Sequence, residues 1–249
     1  MLKNDERVDR VNENILLIQK KDGLTFGTDA LLLAAFVRPQ PSAVALDFGA
    51  GTGIISFLCA VRNKYKKIVA IEAQNDFAKM IERNIEQNSL SDKVSAICCD
   101  VRELSYDRLG FEADAIFTNP PYMRAGSGKM NEHDIKTIAR HEILGDINDF
   151  CKAASKNLKH GGRFYAVYRP ERMTELFYAM RDAKIEPKRL CMVCPDSESA
   201  PSLILVEGKK GAAAEIKIEK PLLMYKDKTH AEYTDDFAYI YENGCFKGE

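Results

Sequence analysis

No stretch of this 249-residue chain approaches 18 consecutive apolar residues, the length at which a helix begins to cross a bilayer. No membrane span is expected. The first residues, Met1 to Val11, are charged and hold no apolar h-region, so secretion is not expected either. The cysteines are seven, an odd number with no spaced framework. Cys191-x-x-Cys194 has neither a second pair nor a histidine partner to complete a zinc site. It reads as reduced core thiol, and Cys98-Cys99 as part of a buried strand. The expectation is a cytoplasmic protein with no metal. An excess of one charge is missing too. The 36 Lys+Arg and 37 Asp+Glu leave a net charge of −1, which argues against a strongly basic nucleic-acid binder. Internal repeats and low-complexity tracts are absent.

What remains is 45% hydrophobic and 29% charged, a balance that suits one α/β domain with a sizeable core. Strand-like and helix-like periodicities alternate from about Ala43 to Glu207. Strands are expected at 43–47, 67–71, 93–99, 114–118, 163–168, 189–194 and 202–207. Helices are expected at 53–63, 75–88, 146–158 and 171–183. This pattern predicts a doubly wound, mostly parallel seven-stranded sheet, Rossmann-like, with ligands at the carboxyl ends of the strands. The last two strands have no helix between them, so one should run antiparallel. Residues 1–42 form an N-terminal extension with a helix starting at Thr28 or Asp29, either of which suits an N-cap. The core is assigned to 43–208 and a C-terminal extension to 209–249, with a further strand near Pro221–Tyr225.

One strand ends in Asn119-Pro120-Pro121-Tyr122. The prolines fix φ and lack an N–H, and each pushes its predecessor out of the α region. The stiff corner leaves an amide side chain, a carbonyl and an aromatic ring at a strand end. The Asn119 side-chain oxygen and the Pro120 carbonyl can each accept one N–H from a planar amino group, while Tyr122 stacks on the attached ring. These are the needs of transfer to the exocyclic nitrogen of adenine, or to a glutamine side-chain nitrogen. About 70 residues upstream, an apolar strand runs into Asp47-Phe48-Gly49-Ala50-Gly51-Thr52-Gly53. The glycines allow a tight turn and close approach of a ligand to the backbone. G-x-G-x-x-G fits neither glycine frame, because Ile54 and Ser56 fall where the last glycine would be, and NAD is disfavoured. Glu72 closes the next strand about 20 residues on, where an acid can accept from both ribose hydroxyls. Asp100 closes the third strand and is followed by Val101.

The glycine loop resembles the first motif of class I S-adenosylmethionine-dependent methyltransferases. A closer likeness then covers nearly the whole chain. Phe26-Gly27-Thr28-Asp29-Ala30-Leu31-Leu32-Leu33, the Leu46–Gly53 loop, Ile71-Glu72, Thr118–Tyr122, Ala139-Arg140-His141-Glu142, Tyr168–Arg172 and Glu186–Arg189 are similar to motifs of the bacterial tRNA(Val) adenine-N(6) methyltransferases. Phe48 departs from the usual smaller residue and should pack under the loop. The resemblance implies S-adenosylmethionine as cofactor, held by Phe26, Thr28, Asp47, Gly49, Gly51, Gly53, Glu72, Asp100, Val101 and Asn119, with Asp100 on its adenine amino group. It implies catalysis by Asn119, Pro120 and Tyr122 on an adenine beside the anticodon of a tRNA. Phe26 is also placed over the far side of the target base, or in the core. His141 is read as structural or as an RNA contact.

Charge is uneven along the chain. Residues 1–119 hold 15 Lys+Arg and 17 Asp+Glu, residues 120–190 hold 14 and 9, and residues 191–249 hold 7 and 11. The basic segment begins at the Asn-Pro-Pro-Tyr corner, so Arg124, Lys129, Arg140 and Arg172 are expected to face RNA. The chain is expected to act as a monomer, with tRNA as partner and no membrane contact. Three other readings stand beside this one: a release-factor-type glutamine methyltransferase, a DNA adenine methyltransferase, and a non-catalytic cofactor-binding protein. Only about 42 residues precede the sheet, few for the longer helical domain of the first. No sizeable target-recognition insertion is visible for the second, and intact Asn119 and Tyr122 argue against the third.

Overall fold

The structure is a computed structural model, and it describes residues 2–21, 27–120 and 145–248. Its centre is a sheet with the strand order β10-β8-β9-β7-β6-β3-β4-β5, and β11 also pairs with β8. The strands are β3 (Gln40–Phe48), β4 (Tyr65–Glu72), β5 (Val94–Cys98), β6 (Ala113–Thr118), β7 (Leu158–Tyr168), β8 (Ile185–Cys194), β9 (Leu203–Lys210), β10 (Lys217–Ile218) and β11 (Leu222–Leu223). Seven long strands carry it, and β9 alone runs antiparallel, against both β7 and β8. The two-residue strands β10 and β11 lie parallel on the β8 edge. The expected seven-stranded, mostly parallel sheet is thus present, with two short additions.

Helices cover both faces, as a parallel sheet requires. One face packs against α1 (Thr28–Phe36), α2 (Ile54–Val61), α3 (Asn75–Gln87) and a C-terminal helix, Asp235–Asn243; its core runs through Leu33, Phe36, Phe57, Ile81, Phe117, Tyr165 and Ile240. The other packs against the helices Ile147–Asn157 and Met173–Asp182 around Leu46, Phe48, Phe150, Phe164 and Leu176. Phe48 is fully buried there, in keeping with a place under the loop.

Both chain ends join this core. A hairpin of β1 (Glu6–Asn12) and β2 (Ile15–Lys20) was not foreseen. It docks on α3 because Asn84 and Asn88 serve its backbone: the Asn84 side-chain oxygen accepts from the Ile18 N–H, and its amino group donates to the Ile18 carbonyl. Arg83 pairs with the buried Glu6 and holds its carboxyl well below the usual range, near pH 2. The Asp235–Asn243 helix, also unforeseen, starts at Thr234, whose hydroxyl accepts from the Phe237 N–H. Its Phe237 and Ile240 enter the same core as Ile15 and Leu17 of the hairpin.

Three local expectations are corrected. Gly27, not Thr28 or Asp29, is the N-cap of α1, and no side chain caps it. Cys98 is exposed while Cys99 is buried, because the strand ends between them. Ile185-Glu186-Pro187, read as a connector, is the first part of β8; Pro187 faces Gly208 where the register shifts, a place where a proline's missing N–H is tolerated. All seven cysteines are free, and Cys191 and Cys194 are buried. Among the described residues no helix is long and apolar enough to cross a membrane.

Candidate active site

Sheet register brings together what the sequence separates. Phe48 pairs with Thr118 at the ends of β3 and β6, and the Thr118 hydroxyl donates to the Phe48 carbonyl at 2.9 Å. The next residues, Gly49 and Asn119, therefore leave adjacent strand ends side by side. On the other flank, Glu72 pairs with Cys98. The glycine loop, Glu72, Asp100 and the Asn-Pro-Pro corner thus share one rim, the carboxyl edge of the parallel strands, where α/β sheets bind ligands.

The loop is shaped by positive φ at Gly49 (68°), Gly51 (58°) and Gly53 (87°), values that favour glycine. Gly49 and Ala50 donate to the Ile71 carbonyl, and Gly51 donates to a Glu72 carboxylate oxygen at 2.9 Å. A Cβ on Gly53 would strike the Phe57 ring at 2.7 Å, whereas one on Gly51 would meet nothing within 4 Å. Gly53 is therefore glycine for packing, and Gly51 faces open space in which a ligand can lie on its backbone.

The acids differ in their environments. Glu72 is only 4% exposed. One oxygen accepts from Gly51 and the other from the Gln74 N–H at 2.9 Å. Burial pushes its carboxyl upward, against these hydrogen bonds. Asp100 caps the turn Val101–Glu103 and forms a forked ion pair with Arg102, which holds its carboxyl below the usual range. Val101 is buried beside it. Asp47, expected at the cofactor, has no exposure; one oxygen accepts from the Ser56 N–H and hydroxyl, at 3.1 and 2.7 Å. The other, buried, has no hydrogen-bond partner among the described atoms. Burial, with Glu72 nearby, raises its carboxyl to about 7 despite Ser56. Asp47 thus lies behind the loop, where it ties β3 to α2. Ser56 was not singled out as its partner, and only the short interval from Asp47 hints at it.

At the corner, Pro120 is buried and Asn119 half-buried. The Asn119 amino group donates to a carboxylate oxygen of Asp29 at 2.9 Å, across 90 residues. Asp29 belongs to the first turn of α1, beside the exposed Thr28, so the Gly27-Thr28-Asp29 segment reaches the Asn-Pro-Pro corner. Arg172, expected to face RNA, is engaged within the fold. Its guanidinium forks onto Glu175 at 2.8 Å and lies 5.1 Å from the centre of the Tyr168 ring. Phe26, Tyr122, Arg124, Lys129, Arg140 and His141 lie outside the described residues.

The fit to S-adenosylmethionine can be judged on these features. A backbone cradle open above Gly51, the buried Glu72 at its flank and Asp100 at the next strand end suit the methionine, ribose and adenine parts in turn. Glu72 has lone pairs beyond the two it lends to the backbone.

Comparisons with known proteins agree. Residues 20–183 match the model of the methyltransferase small domain family. Curated relatives include the tRNA1(Val) (adenine(37)-N6)-methyltransferase of Dyadobacter fermentans, 31% identical over 141 residues, or 57% of each chain. That of Shewanella halifaxensis is 33% identical over 119 residues, 48% of this chain and 47% of the relative. The protein spans only about half the length of these two relatives. The Parabacteroides distasonis enzyme of the same name is 26% identical over 224 residues, 88% of this chain and 90% of its own. Among solved structures, a predicted O-methyltransferase from Agrobacterium tumefaciens superposes with a TM-score of 0.69 at 22% identity, covering 87% of this chain and 96% of that one. Pyrococcus horikoshii TYW2, solved with MeSAdo, gives 0.56 at 18%, covering 84% of this chain and 73% of that one. At these identities the two structures bear on the fold alone.

Proposed function

The chain belongs to the methyltransferase small domain family, and from that premise we propose that it transfers a methyl group from S-adenosylmethionine to the exocyclic amino group of an adenine in tRNA. The observation that carries the reading is the register that sets Asn119 beside the Gly49–Gly53 loop. The names of the curated relatives point to adenine 37 of tRNA1(Val) as the target. A tRNA substrate supports a cytoplasmic location as part of this proposal.

Bound S-adenosylmethionine would supply a sulfonium methyl as the electrophile. Gly49, Gly51 and Glu72 would hold it, with Asp100 and Val101 at its adenine. The adenine amino group is planar and a poor nucleophile, because its lone pair is delocalised into the ring. The Asn119 side-chain oxygen and the Pro120 carbonyl can each accept one of its N–H groups. That draws the nitrogen toward tetrahedral geometry and stabilises the charge it gains, an effect of a few kcal/mol for each fixed group. The Asn119 oxygen and the Pro120 carbonyl would go on accepting from the amino group as it becomes cationic, and its surplus proton would pass to water. Asp47 sets the loop through Ser56 and touches neither reactant. Tyr122 would stack on the flipped base, and Arg124, Lys129 and Arg140 would contact phosphates.

The test is a methyl-transfer assay with tRNA, DNA and a release factor side by side. The expected result is label on N6 of one tRNA adenine, its rate falling as salt rises in proportion to the phosphate contacts engaged. Label on the release-factor glutamine would favour the protein-substrate reading, and binding without transfer to any of the three would favour a non-catalytic role.

A further inference from the structure

Asn119 stands at a strand end, and its amide could present either its oxygen or its amino group to a substrate. Only the oxygen can accept an N–H from the target amine; the amino group would set donor against donor. The methyl-transfer reading therefore demands that something choose between two orientations of nearly identical shape. The proline corner cannot do so, because it fixes backbone and leaves the amide torsion open.

We propose that Asp29 makes this choice: it is a positioning residue whose carboxylate engages the Asn119 amino group and so turns the Asn119 oxygen toward the substrate nitrogen. The inference rests on the methyl-transfer reading above. The contact is Asn119 Nδ2 to Asp29 Oδ2 at 2.9 Å. A carboxylate oxygen accepts and does not donate, so the amide must show it the amino end. The flipped amide would set oxygen against oxygen. The polarity also helps. A negative group on the far side of the amide strengthens the acceptor at its other end through the shared π system. That acceptor would face the nitrogen that gains positive charge during transfer.

The rest of the fold holds Asp29 still. Its helix is buried along Leu32, Leu33, Ala34, Ala35 and Phe36. At the helix C-terminus the buried Lys64 ammonium donates to the carbonyls of Ala34, Ala35 and Val37 at 2.7–3.0 Å. Those carbonyls would otherwise lack helical partners. At the other end the neighbouring residue is glycine for a reason: a Cβ on Gly27 would lie 2.6 Å from the Asp29 Oδ1 atom. The Asp29 Oδ1 atom in turn accepts from the Ala30 N–H at 3.0 Å, which sets the carboxylate plane. A rigid helix thus presents one carboxylate oxygen to the catalytic amide.

The experiment compares the wild type with Asp29→Ala, Asp29→Asn, Asn119→Ala and the Asp29→Ala/Asn119→Ala double variant. It reads kcat and KM on tRNA, affinity for S-adenosylhomocysteine, and the side-chain amide resonances of Asn119 by NMR. Asp29→Ala should lower kcat on the order of 100-fold, the scale of a misplaced reacting group, with KM and homocysteine-product affinity unchanged. Asp29→Asn should recover part of the loss, since its own oxygen can accept from Asn119. The double variant should be no slower than Asn119→Ala. The Asn119 amide protons should move upfield in Asp29→Ala. Losses that multiply in the double variant, or Asn119 resonances that stay in place, would overturn the assignment. If the wild type transfers no methyl group to tRNA adenine, the functional reading fails, while the resonances still decide whether Asp29 holds the amide.

Discussion

Asp47 allows a quantitative test of how the cofactor loop is built. Its carboxyl is fully enclosed and raised from 3.8 to about 7, chiefly by burial, while the two Ser56 hydrogen bonds oppose the rise. A carboxyl that holds its proton more tightly when folded loses its contribution to stability wherever the unfolded chain has ionised and the folded one has not. Below about pH 4 both states are protonated and the full stability is present. Between about pH 4 and 7 the unfolded state ionises while the folded state does not, so stability falls as pH rises; above about 7 both are ionised and the loss levels off. Each pH unit of displacement is worth about 1.4 kcal/mol, so the loss across the window is about 4 kcal/mol. Asp47→Asn removes the titration and keeps an oxygen for Ser56. Its new amino group takes the place of the oxygen that has no partner among the described atoms, a cost of about 1–3 kcal/mol that does not vary with pH. Urea unfolding of both proteins at about pH 4.5, 6 and 8 separates the two effects. The stability of the wild type relative to Asp47→Asn should fall by about 3–4 kcal/mol from the lowest pH to the highest. A difference that stays flat would refute the claim that an ionisable group is sealed behind the loop.

Gly51→Ala should cost about 1–2 kcal/mol of stability from its left-handed backbone and weaken S-adenosylhomocysteine binding at least about tenfold, since its methyl would enter the open space over the loop; calorimetry checks the second and unfolding the first. Glu72→Gln must turn its amino group toward either Gly51 or Gln74, whose N–H groups Glu72 now serves, so one donor loses its acceptor and cofactor affinity should fall by about 1–3 kcal/mol. An unchanged dissociation constant would remove Glu72 from the ribose. Glu207 is buried and pairs with both Arg189 and Arg163, so Glu207→Gln should destabilise by about 3–5 kcal/mol in thermal or urea unfolding by leaving a buried guanidinium uncompensated.

Much of the site was legible because each motif is local. Asp47–Gly53, Glu72, Asp100 and Asn119 each end a run of apolar residues, and a strand end can be read from its own neighbours. What escaped was anything that depends on distant partners. The β1–β2 hairpin packs through Asn84 and Asn88, residues that look like an ordinary polar helix face. Asp29 reads as a helix-start acid, yet its carboxylate takes the Asn119 amide from 90 residues away.

The sequence by itself determined the mostly parallel sheet, its one antiparallel strand, and the kind of chemistry at its rim, while the strand order came with the structure. Hydrophobic periodicity, glycine and proline act through the chain's own backbone, so they can be read without coordinates. Tertiary structure alone decided which acids border the open rim and which are enclosed behind the loop. Desolvation and hydrogen bonding depend on what lies across the fold: Asp47 is sealed behind the loop, Glu72 accepts from Gly51 on the neighbouring strand's loop, and Asp29 meets Asn119 from 90 residues away.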